Sequence, residues 1–364
     1  MRISRREMLG LTVLAGGAGA VALLAYRRRR RGAPHLEPPR GARRPDGVPL
    51  SGFDGSADAE RVTEGIDLTG KTILVTGVTS GIGRETMRVL AMRGARVIGT
   101  GRTMDGARQA CASVGGITVP LQLELTDYEG VVRCADRVRA LGGSLDGLIC
   151  NAGVMGLPRL EQIHGIEKHF ATNHLGHFLL TNCLLETLVR TPGARILVVS
   201  SYVMSWSSPA GIEWDNLSGE RLYHKDRAYG QSKLANALFA LELARRLEGT
   251  HVTANSLEPG YVDTALFRNY PVSLNGFRGV LSSEKMTVGQ GAATSCYLAT
   301  APAVAAVSGF HFANCNPVIP VERARDPAAA ARLWRVSSDL LARYLPGPGT
   351  AAAAARSPAP LDSA

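Results

Sequence analysis

The sequence predicts an α/β fold in which a doubly wound parallel sheet lies between two layers of helices. Short runs rich in β-branched residues alternate with longer segments of helical periodicity, and a glycine-rich turn joins the first run to the first helix. Strands that alternate with helices in this way form a parallel sheet, in which the helices are right-handed crossovers between the strands. The 364 residues are 45% hydrophobic and 20% charged, which is typical of a globular protein.

Six runs are predicted to be buried strands and four segments to be helices. The predicted strands are residues 72–76, 95–99, 118–123, 145–150, 195–200 and 252–257. The predicted helices are residues 82–93, 128–141, 164–188 and 229–247. They indicate a single folded domain at 67–345, which follows an N-terminal segment at 1–31 and a linker at 32–66 and precedes a disordered tail at 346–364.

The N-terminal hydrophobic segment is long enough to cross a membrane. Its nineteen uncharged residues, 8–26, would span about 28 Å as a helix, and a hydrocarbon core is ~30 Å thick. Five arginines at 27–31 follow directly, and basic residues at this place stop translocation and stay on the cytosolic side. We therefore expect a membrane anchor at 1–31 with the folded domain in the cytosol.

Two other interpretations of this segment stay open. The run Ser4-Arg5-Arg6 resembles a twin-arginine export signal, and the small residues at 18–20 would suit a cleavage site. In that case the protein is exported and the segment is removed. Alternatively, the segment lies along a membrane surface without crossing it.

The positive charge of the chain is concentrated before the predicted domain. Residues 1–50 hold eleven arginines against three acidic residues, and so carry +8 of the chain's net charge of +10. The rest of the chain is close to neutral, which argues against a basic groove for nucleic acid. Six cysteines occur without a Cys-x-x-Cys pair, which disfavours a zinc site or a disulfide framework.

A candidate phosphate-binding turn follows the first predicted strand. It consists of Thr76, Gly77, Val78, Thr79, Ser80, Gly81, Ile82, Gly83 and Arg84. Glycines permit a tight turn and let backbone N–H groups approach a pyrophosphate, while the N terminus of the next helix attracts negative charge. The apolar strand before this turn and the amphipathic helix after it are the context of a dinucleotide site.

The end of the second predicted strand favours NADP(H) over NAD(H). An NAD site needs a carboxylate there to bind the ribose 2′-hydroxyl, whereas residues 97–103 contain no acid. Arg102 lies in this stretch and can bind a 2′-phosphate through charge-assisted hydrogen bonds. Arg84 is the candidate for a second contact.

Several polar motifs are predicted to meet at one edge of the sheet. Tyr229 and Lys233 are four residues apart, so a helix presents the phenol and the ammonium on one face. The fourth predicted strand ends in Asn151-Ala152-Gly153, and the fifth ends in Ser200-Ser201. Ligands of open parallel sheets bind at the carboxyl ends of strands, so we expect these motifs to line one cleft.

These motifs and their order resemble the short-chain dehydrogenase/reductase family over about residues 67–340. The run 173–180 and Arg332-Leu333-Trp334 are similar to its retinol-dehydrogenase-like branch. The resemblance implies a Rossmann fold and adds Asn173 to the catalytic residues Ser201, Tyr229 and Lys233. Its implied cofactor contacts beyond the glycine turn are Arg102, Glu124, Leu125, Asn151, Ala152, Gly153, Tyr229, Lys233, Pro259, Gly260, Val262 and Thr264.

The residue types predict proton transfer coupled to hydride transfer. Moving the pKa of a tyrosine from about 10 toward 7 requires about 4 kcal/mol of preferential phenolate stabilisation. The Lys233 ammonium and a positive nicotinamide ring can supply much of it, so that Tyr229 acts as general acid or base. Ser201 would bind and polarise the substrate oxygen. By resemblance, Lys233 also binds the nicotinamide ribose and Asn173 orders a water; hydride transfer needs no metal.

We therefore expect an NADP(H)-dependent oxidoreductase that interconverts an aldehyde or ketone with an alcohol. The resemblance and the predicted anchor imply a lipophilic substrate, such as a retinoid, a long-chain or an isoprenoid compound, and the segment 265–283 is predicted to form a mobile lid. Family members often pair through their long helices, which leaves a homodimer open. The rival interpretation is a regulatory protein that binds NADP(H) without turnover.

Overall fold

The computed structural model describes residues 44–262, 264–269 and 285–347. Ten strands occur in this part of the chain. They are β1 (Thr72–Thr76), β2 (Arg96–Gly101), β3 (Ile117–Gln122), β4 (Gly147–Cys150), β5 (Gln162–Ile163), β6 (Ile166–Glu167), β7 (Arg195–Val199), β8 (Thr253–Glu258), β9 (His311–Ala313) and β10 (Asn316–Val318). Strands β5 and β6 form a separate hairpin, and the other eight form one sheet.

The order of the sheet creates a crevice at its carboxyl edge. From one side to the other the order is β3-β2-β1-β4-β7-β8-β9-β10. All neighbours are parallel except β9 and β10, which pair antiparallel. The chain runs outward from β1 to β3 and then returns to β4 on the other side of β1, so the connections after β1 and β4 diverge and leave a ligand crevice between them.

Helices cover both faces of the sheet, which confirms the doubly wound fold. They are α1 (Ala59–Val62), α2 (Gly81–Met92), α3 (Met104–Ala112), α4 (Tyr128–Ala140), α5 (Gly176–Val189), α6 (Lys225–Arg246), α7 (Val288–Thr300) and α8 (Pro327–Leu340). One hydrophobic cluster joins the sheet to α4, α5, α6 and α8, and a second joins its other face to α1, α2, α3 and α7. Each face therefore has its own core.

The predicted helix at 164–188 is wrong in its first part. His164 and Gly165 have positive φ angles of 49° and 77°, which a helix does not allow, and they form the turn between β5 and β6. A wide helical turn, Phe170–Leu175, follows with hydrogen bonds five residues apart and leads directly into α5. The short strands β9 and β10, and helices α3, α7 and α8, were not predicted.

The second half of the predicted linker at 32–66 belongs to the folded body. Ala57, Ala59 and Val62 are buried in the second core. The Phe53 ring meets the ring of Tyr297 edge to face, with 6.1 Å between the centroids. The domain therefore begins before residue 67, because a short apolar segment there covers the end of α7.

Helix α8 covers the outer surface of the long helices α5 and α6. The Trp334 ring packs against the rings of Phe178 and Phe239, with centroids 5.0 Å and 5.9 Å away. His174 and Ser337 lie 2.8 Å apart between Nε2 and Oγ. Helix α8 thus covers part of the surface of the long helices, and the homodimer that the sequence leaves open stays a prediction.

Several sequence predictions fall outside the described residues. They concern the anchor or export signal at 1–31, the first part of the linker, most of the lid at 265–283 and the tail from residue 348. Within the part of the chain that the structure describes, no helix combines the length and the hydropathy of a membrane span.

Candidate active site

A cavity of about 500 Å³ opens at the carboxyl edge of the sheet, at the crevice between β1 and β4. One end is bordered by the turn between β1 and α2, together with Arg102 and Glu124. Ser201, Tyr229 and Lys233 lie along its wall. Its apolar lining is contributed by Met155, Leu157, Ile163, Val203, Trp206, Tyr261 and Leu266. The cavity therefore combines a polar end that suits a nucleotide with an apolar region.

The turn after β1, here called the glycine cradle, is packed so closely that Gly77 and Gly83 leave no room for a side chain. Gly77 has a φ of 74°, which favours glycine. At Gly83, a Cβ atom would lie 2.3 Å from the carbonyl oxygen of Gly77 and 2.4 Å from Nδ2 of Asn151. The open N terminus of α2 begins at Gly81 and presents unpaired N–H groups. These features fit the pyrophosphate of a dinucleotide.

The hydroxyl of Thr76 connects this turn to the ends of two other elements. Its Oγ1 accepts hydrogen bonds from the backbone N–H groups of Asn151 and Ala152, both at 2.9 Å. Nδ1 of His177 lies 2.9 Å from the carbonyl oxygen of Asn173, which can only accept. Nε2 of His177 therefore accepts from Thr76 at 2.9 Å, and burial, which lowers the pKa of His177 to about 4, keeps the ring neutral.

Asn173 supports the site from behind the cavity wall. Its Oδ1 accepts from the N–H of Val154 at 2.8 Å, and its Nδ2 donates to the carbonyl of Val154 at 3.0 Å. Nδ2 also donates to Oγ of Ser232 at 2.9 Å, and that hydroxyl donates to the carbonyl of Tyr229. The side chain thus fixes the loop after β4 against α6. Its predicted role in ordering a water stays a prediction.

Tyr229 and Lys233 lie one helical turn apart on α6, and both are 4% exposed. The Lys233 ammonium lies 5.7 Å from the centre of the Tyr229 ring and donates to the carbonyl of Val199 at 3.0 Å. Ser201 begins the short turn Tyr202–Trp206 at the end of β7. Gly230 lets α6 approach this turn, because a Cβ there would lie 2.7 Å from the carbonyl oxygen of Val203.

Burial opposes charge on both members of the Tyr229–Lys233 pair. It raises the pKa of the Tyr229 phenol and lowers the pKa of the Lys233 ammonium to about 8. The sequence predicted an acidic phenol next to a cation, but in the protein alone desolvation is the larger effect on Tyr229. At neutral pH, therefore, the phenol keeps its proton and most of the ammonium is charged.

The structure brings most of the predicted site residues to one cavity. Those that line it are Gly77, Thr79, Ser80, Gly81, Ile82, Gly83, Arg102, Glu124, Leu125, Asn151, Ala152, Gly153, Ser201, Tyr229, Lys233, Pro259, Gly260, Val262 and Thr264. Thr76, Val78 and Asn173 are buried beneath or behind the wall. Arg84 is not brought to the wall: its guanidinium is exposed and donates to Oγ of Ser113 at 2.9 Å.

Two buried carboxylates near the site were not predicted from the sequence. Glu167 is 2% exposed and lies 2.6 Å from Nδ1 of His169, whose ring meets the Tyr229 ring edge to face. Glu258, the last residue of β8, lines the cavity and is 6% exposed. Burial raises the pKa of Glu258 to about 7. An acid in the last position of a buried strand, directly before Pro259-Gly260, is the signal that could have identified it.

Comparisons with known proteins agree on one family. A family model described as short chain dehydrogenase matches residues 71–214. The chain is 39% identical to the short-chain dehydrogenase TIC 32 A of Brassica napus over 80% of this chain and 95% of that protein. It is also 39% identical to retinol dehydrogenase 12 of Mus musculus, over 77% and 89%. An uncharacterised protein from Mycobacterium paratuberculosis has a similar structure, with a TM-score of 0.63 and 30% identity over 79% and 98%.

The fold and the cavity define a nucleotide-binding enzyme of the doubly wound class. The chain belongs to the short-chain dehydrogenase/reductase family and to its retinol-dehydrogenase-like branch. It is thus an oxidoreductase that acts on CH–OH groups of small molecules with a nicotinamide cofactor.

The glycine cradle gives the first test. In Gly83→Ala the new methyl group collides with the Gly77 carbonyl and the Asn151 amide. We expect the free energy of unfolding to fall by about 1–3 kcal/mol and dinucleotide binding to weaken, as measured by denaturant titration and NADPH fluorescence.

Gly115→Ala is the matched control for this substitution, because nothing lies within 4 Å of the position of its Cβ. It should leave both quantities unchanged. If Gly83→Ala bound NADPH as tightly as the wild type, the turn would not be the pyrophosphate site.

Proposed function

We propose that this protein is an NADP(H)-dependent oxidoreductase that interconverts a lipophilic aldehyde or ketone with the corresponding alcohol. The observation that carries the proposal is the presence of Ser201, Tyr229 and Lys233 on the wall of the same cavity as the glycine cradle. A phenol, a hydroxyl and an ammonium around a nucleotide site are the groups that carbonyl reduction needs: a proton donor, an oxygen-binding group and a cation.

The polar end of the cavity would hold the cofactor. The backbone N–H groups at the start of α2 are suited to the pyrophosphate, and Gly77 and Gly83 let the turn pack closely against the chain after β4. Arg102, exposed at the end of β2, would bind a 2′-phosphate. Glu124 and Leu125 would border the adenine, while Asn151, Ala152, Gly153, Pro259, Gly260, Val262 and Thr264 would complete the wall. When bound, the cofactor supplies or accepts the hydride.

In the reducing direction, Tyr229 donates its phenolic proton to the substrate oxygen. Ser201 donates a hydrogen bond to the same oxygen and orients it. Burial keeps the phenol protonated before the reaction, so the proton is available when negative charge develops on that oxygen. Lys233 stabilises the phenolate that remains, because its ammonium lies one helical turn away. In the oxidising direction, the phenolate accepts the proton from the alcohol.

The apolar part of the cavity supports a lipophilic substrate. Met155, Val203 and Tyr229 form a small hydrophobic cluster, against which Trp206 and Leu266 pack. Burial of apolar surface contributes about 25 cal/mol per Å², so such a wall favours hydrocarbon over water. One relative is named for retinol, itself a lipophilic alcohol.

We extend the proposal to the regions around the domain. Residues 1–31 would anchor the protein in a membrane with the catalytic domain, predicted at 67–345, in the cytosol; export by a twin-arginine signal is the alternative. A lipophilic substrate that partitions into the bilayer would then be close to the cavity.

Turnover by Tyr229→Phe tests the proposed chemistry. The substitution removes the proton donor and keeps the ring, so we expect kcat for aldehyde reduction to fall by about 10²–10⁴-fold. Cofactor binding should persist.

Tyr297→Phe removes a buried hydroxyl from α7, away from the cavity, and should keep full activity. A Tyr229→Phe protein with wild-type turnover would refute the proposal. A biological effect that survived without turnover would favour the regulatory alternative.

Arg102→Ala tests the preference for NADPH. A hydrogen bond to a charged group contributes about 1.5–3 kcal/mol. Its loss should lower kcat/KM with NADPH by roughly 10–100-fold. The value of kcat/KM with NADH should stay nearly unchanged. Arg108→Ala, which removes an exposed arginine of α3, serves as the control. Wild-type protein that preferred NADH would contradict the role of Arg102.

A further inference from the structure

The carboxyl group of Glu258 lies in an unusual place for an acid. Its neighbour Leu257 accepts a hydrogen bond from the N–H of Ser200 at 2.7 Å, so the ends of β7 and β8 are side by side. Glu258 is therefore next to the segment that carries Ser201, and it borders the same cavity. It is 6% exposed, and the reaction described above does not use it.

The groups around Glu258 leave its charge poorly compensated. The backbone of Tyr202 hydrogen-bonds to the carboxyl group and favours its ionised form. Burial acts in the opposite direction and is the larger effect, so that the pKa lies near 7. Among the described residues, no cation contributes to this balance. The carboxyl group is therefore poised to gain or lose a proton at neutral pH.

The other titratable groups of this region come from four elements. Tyr202 lies on the turn after β7, and burial, followed by the charge of Glu258, raises the pKa of its phenol. Tyr229 and Lys233 face the cavity from α6, and Arg268 faces it from the turn Ala265–Asn269. On the neighbouring strand β9, His311 is buried and bonded to Ser256, and burial lowers its pKa to about 4. Near pH 7, His311 therefore stays neutral.

The oxidised and the reduced cofactor differ in the charge of the nicotinamide ring, and this difference would act on the carboxyl group of Glu258. This step rests on the proposed function. For hydride transfer, the nicotinamide ring would have to lie next to the substrate carbon whose oxygen meets Tyr229 and Ser201. The ring would therefore lie at the part of the cavity that Glu258 borders. The ring is cationic when oxidised and neutral when reduced, and in a buried site such a difference strongly favours a carboxylate next to the oxidised form.

We propose that Glu258 balances the charge of the nicotinamide by releasing a proton when the oxidised cofactor binds and keeping it when the reduced cofactor binds. In the first case the carboxyl O–H bond breaks, the proton passes to solvent and the carboxylate faces the cationic ring. In the second case the neutral acid faces the neutral ring. No other reactant is needed, and Glu258 is a binding residue rather than a proton donor to the substrate.

This assignment has a definite pH dependence. Below the pKa of Glu258, binding of the oxidised cofactor must first remove the proton, so its affinity rises with pH by at most about tenfold per unit, until the carboxylate is already formed. The affinity for the reduced cofactor lacks this increase. The affinity for the oxidised cofactor relative to the affinity for the reduced cofactor should therefore rise through neutral pH.

Calorimetric proton counting tests the proposal without turnover. NADP⁺ and NADPH are each titrated into the full protein at about pH 7, in two buffers that differ in ionisation enthalpy, so that the buffer dependence of the heat gives the protons released. We expect NADP⁺ to release about half a proton more than NADPH, because near its pKa the carboxyl group is half protonated. Glu258→Gln should abolish this excess, since it retains the shape and cannot ionise.

Glu124→Gln is the matched control, because it removes another carboxylate from the wall of the same cavity. It should keep the excess proton release of the wild type even where affinity changes. Equal proton release with both cofactors, or an excess that persists in Glu258→Gln, would overturn the role of Glu258. Either result would leave the proposed function standing. Failure of the wild type to bind either cofactor would overturn the proposed function together with this role.

The protein without cofactor gives a second measurement. A raised pKa in the folded state means that stability is lost as pH rises from the unfolded value toward about 7. The melting temperature of Glu258→Gln minus that of the wild type should therefore become larger as the pH rises from about 5 to about 8. A constant difference would show that Glu258 does not titrate in this range and would overturn the proposal.

Discussion

The burial of the Lys233 ammonium is the constraint on which the rest of the site depends. A buried ammonium is stable only where polar atoms replace water, and here the carbonyl of Val199 at the end of β7 does so at 3.0 Å. Asn236, one helical turn further on, donates to the same carbonyl. Ser200 holds the backbone of Lys233 through its hydroxyl. Helix α6 and the end of β7 therefore cannot separate without leaving a charge unpaired, and Tyr229 stays in a fixed place beside them.

Hydrogen bonds extend this constraint across the sheet. Thr76 at the end of β1 accepts from the chain after β4 and donates to His177, which in turn binds the backbone of Asn173. Asn173 holds the loop after β4 and reaches α6 through Ser232. The glycine cradle and the backbone of Tyr229 are thus parts of one hydrogen-bonded frame.

The sequence predicted what depends on local pattern and on motifs. It predicted the parallel strands, the glycine turn and the spacing of Tyr229 and Lys233, because periodicity and helical geometry determine these features. It failed at the β5–β6 hairpin, where the backbone at His164 overrides helical periodicity, and at β9 and β10, which have three residues each. It also failed where burial decides the result: Arg84 turns to Ser113, and the pKa values of Tyr229 and Glu258 reflect packing between distant elements.

The central claim is that burial keeps the Tyr229 phenol protonated in the protein alone, and that the positive charge of an oxidised nicotinamide lowers the pKa of this phenol. Phenolate absorbance in the near ultraviolet tests this claim directly, as the difference between the wild type and Tyr229→Phe across an alkaline titration. Without cofactor, the account predicts that the Tyr229 phenolate forms only above the usual pKa of tyrosine, about 10. With saturating NADP⁺ the transition should move to lower pH. A Tyr229 phenolate near neutral pH without cofactor, or a transition that NADP⁺ leaves unchanged, would contradict the account.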